Sequence, residues 1–217
     1  MKSNYIHVCF VIDRSGSMYD STQDVEGGIQ KVIEEQKAVK DGTCSVSLFE
    51  FDTKINQRFL FKDVNEFPEY KFTTGGLTAM NDGIGTAIDV IGKKLSEMPE
   101  EERPEQNLFV IITDGYENAS KEYTFEQVKE KIKHQEEKYS WKFIYFGVDI
   151  TDRSQANKLG LGTQGYMSRK DLSNSYSIVG SAATCYRTAS GDSTAKFAVM
   201  DSWIESSIND CISSDNA

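Results

Sequence analysis

Apolar positions along this chain switch repeatedly between strand and helix spacing. Tyr5–Ile12 is almost continuously apolar and ends on Asp13, the pattern of a strand buried on both faces. Val25, Ile29, Val32, Ile33 and Gln36 then recur at helical spacing. Cys44–Phe51 alternates strictly, which predicts an outer strand, and Asp52-Thr53 turns it into Ile55–Phe61, so an antiparallel hairpin is expected. Asp63–Phe72, with Pro68, reads as an irregular connection.

The second half repeats the alternation more regularly. Ile84, Ala87, Ile88, Ile91, Leu95 and Met98 form a helical stripe, and Glu100–Gln106 is a polar loop. Leu108–Thr113 is a buried strand closing on Asp114-Gly115. Thr124 with Gln127 makes a capping box for a helix that turns Phe125, Val128 and Ile132 inward. Trp141–Val148 is another strand, Ser154–Leu159 a short helix and Gly165–Ser168 a short strand. Leu172, Tyr176, Val179, Ala183 and Tyr186 mark a last domain helix; Phe197, Met200, Ile204, Ile208 and Cys211 mark one more beyond it. This order predicts an α/β fold: a doubly wound, mostly parallel central sheet with one antiparallel edge hairpin, helices on both faces and a C-terminal helix. Residues 1–190 form the domain and 191–217 a helical extension. In such a sheet the first strand is central and Leu108–Thr113 is its neighbour where strand order reverses, so Asp13 and Asp114 emerge side by side.

Charge and composition narrow the partners. The 217 residues carry a formal charge of −10, which disfavours phosphate backbones and anionic lipid, so neither nucleic acid nor membrane is expected as a partner. Met1–Tyr5 runs straight into the first strand, no segment has transmembrane length, and Cys9, Cys44, Cys185 and Cys211 form no CxxC pair. Cytoplasmic residence is expected, with Cys9 and Cys44 as small buried apolar residues.

The chemistry sits at strand ends. Asp13-Arg14-Ser15-Gly16-Ser17 places one carboxylate and two hydroxyls on a strand-to-helix turn; these hard oxygens suit Mg²⁺ or Mn²⁺, the alternative being that Ser15 or Ser17 merely N-caps the next helix. Gly75-Gly76-Leu77-Thr78 offers another hydroxyl before the second helical stripe, and Asp114 a second carboxylate. The candidate metal ligands are therefore Asp13, Ser15, Ser17, Thr78 and Asp114, too few anions for a closed calcium cage and enough for a cation that still accepts an oxygen from a visitor. Asp82 reads as an anion in a helix first turn, Asp52 as a turn former and Asp149 as a strand-end residue near the same edge. Arg14, Met18, Leu77 and Tyr116 flank the ligands as rim candidates or as ordinary packing residues. Gly160–Gly165 matches GxGxxG, but it follows a helix and precedes a strand, the reverse of a dinucleotide fingerprint. His7 and His134 lie away from the ligand edge, which leaves serine or cysteine catalysis without a base.

Asp-x-Ser-x-Ser, a glycine-rich loop with Thr, and a strand-terminal Thr-Asp-Gly, in this order, resemble the von Willebrand factor A domain from about Tyr5 to Ala189. Gly76–Ile84, Ile112–Ser120 and Phe146-Gly147-Val148-Asp149 look like its cytosolic bacterial and phage branch. The resemblance implies a metal-ion-dependent adhesion site. Ser15 and Ser17 would ligate directly, Asp13 and Asp114 directly or through water, and Thr78 in the ligand-bound state. It also implies a non-catalytic protein-binding module whose partner offers a Glu or Asp. Two other readings stand beside it: a Mg²⁺-dependent hydrolase of phosphatase type using Asp13, and a structural subunit of a phage or multi-protein assembly.

Overall fold

The computed structural model describes the backbone of residues 1–214 and the side chains of residues 1–209. Six strands form one sheet in the order β3-β2-β1-β4-β5-β6. They are β1 (Lys2–Asp13), β2 (Thr43–Phe51), β3 (Ile55–Asp63), β4 (Pro104–Thr113), β5 (Lys142–Val148) and β6 (Gln164–Met167). Only the β2–β3 pair is antiparallel, which is the expected hairpin. The chain works outward from β1 through β2 and β3, then returns to lay β4 on the other side of β1. That reversal leaves a crevice between the carboxyl ends of β1 and β4.

The helices are α1 (Thr22–Ala38), α2 (Met80–Glu97), α3 (Phe125–Tyr139), α4 (Ser154–Lys158), α5 (Leu172–Thr188) and α6 (Ser193–Ser214). Even-numbered β1 residues such as Ile6, Val8 and Phe10 pack with α1, α5 and α6, and odd-numbered Cys9 and Val11 pack with α2 and α3. Both faces are covered, so β1 is buried from Tyr5 to Asp13 and each large apolar side chain contributes roughly 1.5–3 kcal/mol. The capping box at Thr124 and Gln127 forms as read from the sequence. Arg187 on α5 closes the far end of α1 by donating to the carbonyls of Gln36, Val39, Asp41 and Gly42.

The outer-strand expectation changes. The strict alternation of Cys44–Phe51 predicts an outer strand, yet β2 is inside the sheet and buried at every position after Thr43. Its polar members are satisfied internally: the Ser45 hydroxyl meets Tyr5 Oη and His7 Nδ1, Ser47 Oγ accepts from Phe61 N, and Glu50 is held by Arg58 and Tyr70. A hydrogen-bonded polar row therefore imitates a solvent face. The expected helix from Phe197 to Cys211 exists as α6, tied to the sheet by Lys196–Glu105 at 3.0 Å and by Lys142–Asp201. The side chain of Cys211 lies outside the described residues; Cys9, Cys44 and Cys185 are unpaired, the first two buried. Among the described residues no helix is long and apolar enough to cross a membrane.

Candidate metal centre

Three loops meet at the β1/β4 crevice. Asp13 ends β1 fully buried, and both of its carboxylate oxygens are engaged: Oδ1 accepts from Ser15 N at 2.7 Å and Oδ2 from Thr113 Oγ1 at 2.6 Å. Burial pushes the Asp13 carboxyl up to about 6, partly offset by these donors. Ser15 occupies the N-cap position of the turn Gly16–Ser21, but its side chain makes no capping bond. Instead Ser15 Oγ lies 3.0 Å from Ser17 Oγ, and Ser17 Oγ donates to Asp114 Oδ1 at 2.6 Å. Of the two readings of the first loop, the converging hydroxyls fit a ligand set.

The second loop is stitched to the first. Gly75 N donates to Arg14 O at 2.8 Å and Gly16 N to Gly76 O at 3.3 Å. Gly76 has φ 77, and a Cβ there would come within 2.9 Å of Thr53 Oγ1, so only glycine carries the chain past β2 at this distance. Thr78 is then clamped from the third loop. Its N–H donates to Asn118 Oδ1, and its carbonyl accepts from Asn118 N and Ala119 N. Gly115, directly after Asp114, opens the centre: a Cβ there would sit 3.0 Å from Thr78 Oγ1 and 3.4 Å from Asp13 Oδ2. That space, faced by a threonine hydroxyl and an aspartate oxygen, lies beside the Ser15–Ser17–Asp114 chain.

All five sequence-derived residues are thus brought to one place. Their donors are oxygens only, which fits a hard cation that retains water. Among the described residues no group of three or more His, Cys, Asp or Glu side chains is arranged to hold a metal. A cation here would rest on two carboxylates, hydroxyls and water.

Neighbouring residues gain partners that the sequence reading did not show. Asp82 stands in the first turn of α2, as read from the sequence, and it also accepts from the backbone of Lys121, Glu122 and Tyr123 at 2.8–2.9 Å, holding the loop after β4. Asp52 does form its turn through Lys54 N, and it also pairs with Arg14 at 3.2 Å. Of the rim candidates, Met18 is buried in the core and Arg14 is tied to Asp52 and Glu50, whereas Leu77 and Tyr116 are exposed. Tyr19, which the sequence did not single out, joins them as a third exposed apolar side chain on the site's loops. Asp149 sits at φ 53 and pairs with Arg169, whose guanidinium also reaches Asp114 at 2.9 Å. No local motif marked Arg169, which follows the last strand and lies 55 residues from its carboxylate partner in sequence. Thr113 stood in the Thr-Asp-Gly motif without a role; strand parity puts it on the same sheet face as Asp13.

The sequence matches the von Willebrand factor type A domain over residues 7–179. The chain belongs to that family. No curated protein matches it. Among solved structures it is similar to the vWF domain of the type V pili tip protein Mfa5 from Porphyromonas gingivalis. That match has a TM-score of 0.63 and 10% identity, and covers 88% of this chain and 99% of that one. Proximal thread matrix protein 1 from the mussel byssus gives 0.59 at 15% identity, covering 84% and 47%. The pilus adhesin SpaC from Lactobacillus rhamnosus GG gives 0.54 at 11%, covering 97% and 30%. The chain therefore spans less than half of the latter two proteins, and all three establish a shared fold.

Proposed function

We propose that this A domain is a metal-dependent protein-binding module. It takes a Glu or Asp side chain of a partner through a Mg²⁺ or Mn²⁺ held by Asp13, Ser15, Ser17, Thr78 and Asp114. One observation carries the reading: at the strand-order reversal Ser15, Ser17 and Asp114 are linked side chain to side chain at 3.0 and 2.6 Å, Asp13 accepts from Ser15 N at 2.7 Å, and Thr78 Oγ1 and Asp13 Oδ2 face the space at Gly115. When bound, the cation supplies a Lewis-acidic position open to one further oxygen. The chain's own residues do the rest. Thr113 and the Ser15 N–H fix Asp13 so that it need not reorganise, and the clamp on Thr78 holds its hydroxyl at the mouth. Tyr19, Leu77 and Tyr116 present apolar surface around that mouth for the partner to cover.

Asp13 has both oxygens in hydrogen bonds and no solvent exposure, which suits a fixed ligand better than the nucleophile of a hydrolase. The unpaired Cys9, Cys44 and Cys185 suit a reducing compartment, so the reading keeps the module in the cytoplasm. That a neighbour sharing this fold is named as a pilus adhesin supports the reading.

A capture experiment tests the function. The full chain, immobilised in millimolar Mg²⁺, should retain a partner that chelator releases and that Asp13→Ala fails to retain. Retention that survives both chelator and Asp13→Ala contradicts the proposal.

A further inference from the structure

Arg169 stands on the short helical turn Arg169–Asp171 between β6 and α5. Its guanidinium reaches three separate segments. Nη2 donates to Asp114 Oδ2 at 2.9 Å, Nη1 donates to the Ser17 carbonyl at 2.8 Å, and Nε donates to Asp149 Oδ2 at 3.2 Å. The Arg169 backbone N–H donates to the other Asp149 oxygen at 2.9 Å. Asp149 takes up a left-handed conformation, which aspartate adopts more readily than most residues, in making this pair. Five donors in a rigid planar fork suit such multiple capture, where an ammonium would make fewer directed bonds.

The consequence falls on Asp114. Its Oδ1 accepts from Ser17 Oγ while its Oδ2 is taken by the guanidinium. The Asp114 side chain is 1% exposed and that of Arg169 26%, so the arginine and not water covers the outer oxygen. The set of two carboxylates and three hydroxyls is therefore not a bare anionic site. One of its two carboxylates is already paired with a fixed positive charge.

We infer that Arg169 is an internal cation of the candidate metal centre: it holds the outer oxygen of Asp114, leaves the inner one facing Ser17, and lowers the affinity of the site for a divalent ion. The inference rests on the metal-binding reading above. A fixed unit charge about 6 Å from a divalent ion opposes it by about a factor of ten in affinity even at the dielectric constant of water, and by more in a partly buried site. Arg169 also positions Asp114, since its bonds to Asp149 and Ser17 fix the fork independently of any metal. The charge and the positioning make opposite contributions to metal affinity, and the short bond from Ser17 Oγ keeps Asp114 oriented when the arginine is removed. The charge effect therefore dominates.

Mn²⁺ alone is the probe. The full chain is titrated with Mn²⁺ by electron paramagnetic resonance as parent, Arg169→Gln, Arg169→Met and Arg169→Lys, with circular dichroism reporting the fold. Both neutral variants are expected to bind Mn²⁺ tenfold or more tighter than the parent, and Arg169→Lys, which keeps the charge but loses the fork, within threefold of it. Neutral variants that fold and bind no tighter than the parent overturn the inference and leave the metal site standing. Should neither neutral variant fold, the lysine variant decides alone: affinity within threefold of the parent supports the charge argument, and a tenfold gain refutes it. A parent chain that binds no Mn²⁺ overturns the metal-binding reading and this inference together.

Discussion

Thr113 donates a 2.6 Å hydrogen bond to Asp13 across the seam between β4 and β1, linking residues 100 positions apart at the base of the candidate metal centre. A fully buried carboxylate needs such donors, because an unmet acceptor pays its full desolvation cost. Thr113→Val keeps shape and removes the donor. It is expected to lower stability by about 1–3 kcal/mol in denaturant titration with chelator present. An unchanged midpoint would show that the bond contributes nothing.

Gly115→Ala tests the space beside the ligands. Its Cβ would lie 3.0 Å from Thr78 Oγ1, so the threonine hydroxyl must move while the packing beneath is untouched. Mn²⁺ affinity should fall by about tenfold or more, with stability changed by less than about 1 kcal/mol. Unaltered affinity would place the ion elsewhere.

Asp82 separates a loop clamp from a metal ligand. Three backbone N–H groups of Lys121–Tyr123 lose their acceptor in Asp82→Ala. The expected loss is about 2–4 kcal/mol of stability with Mn²⁺ affinity kept within about threefold. A selective collapse of affinity with stability preserved would instead assign Asp82 to the ion.

His7 gives the fold a pH signature of its own. It is fully buried, stacked on Phe61 and bonded through Nδ1 to Ser45, and burial pushes its pKa down from 6.5 to about 3. The folded chain therefore binds fewer protons than the unfolded chain between these values. The resulting stability is fully present above about pH 6.5 and is lost as pH falls toward 3, with a slope approaching about 1.4 kcal/mol per unit. His7→Gln should remove that contribution from the pH dependence of denaturation. An identical slope in parent and variant would show that His7 does not titrate this way.

What the sequence disclosed follows from where each signal lives. β1 and the Leu108–Thr113 part of β4 were legible because strands buried on both faces read as unbroken apolar runs, with Asp13 and Asp114 then marking the crevice. The start of β4 at Pro104 read instead as part of the polar loop Glu100–Gln106. The capping box at Thr124 was legible because both halves lie three residues apart. β2 misled because Ser45, Ser47 and Glu50 are polar yet satisfied by partners on other elements, which alternation cannot reveal. Met18, left open between rim and packing, turns into the core on the α1 side. Arg169 was invisible because its partners, Ser17 and Asp114, are 152 and 55 residues away. Only the sheet order brings the end of β6 to that edge.

The most direct measurement is the thermal unfolding midpoint with and without millimolar Mg²⁺ or Mn²⁺, for the parent and for Asp13→Asn. An ion at a hundred times its dissociation constant adds about 2.7 kcal/mol to the folded state, so the parent midpoint should rise by several degrees and the variant should not respond. An unshifted parent, or an equal rise in Asp13→Asn, contradicts a divalent centre at the end of β1.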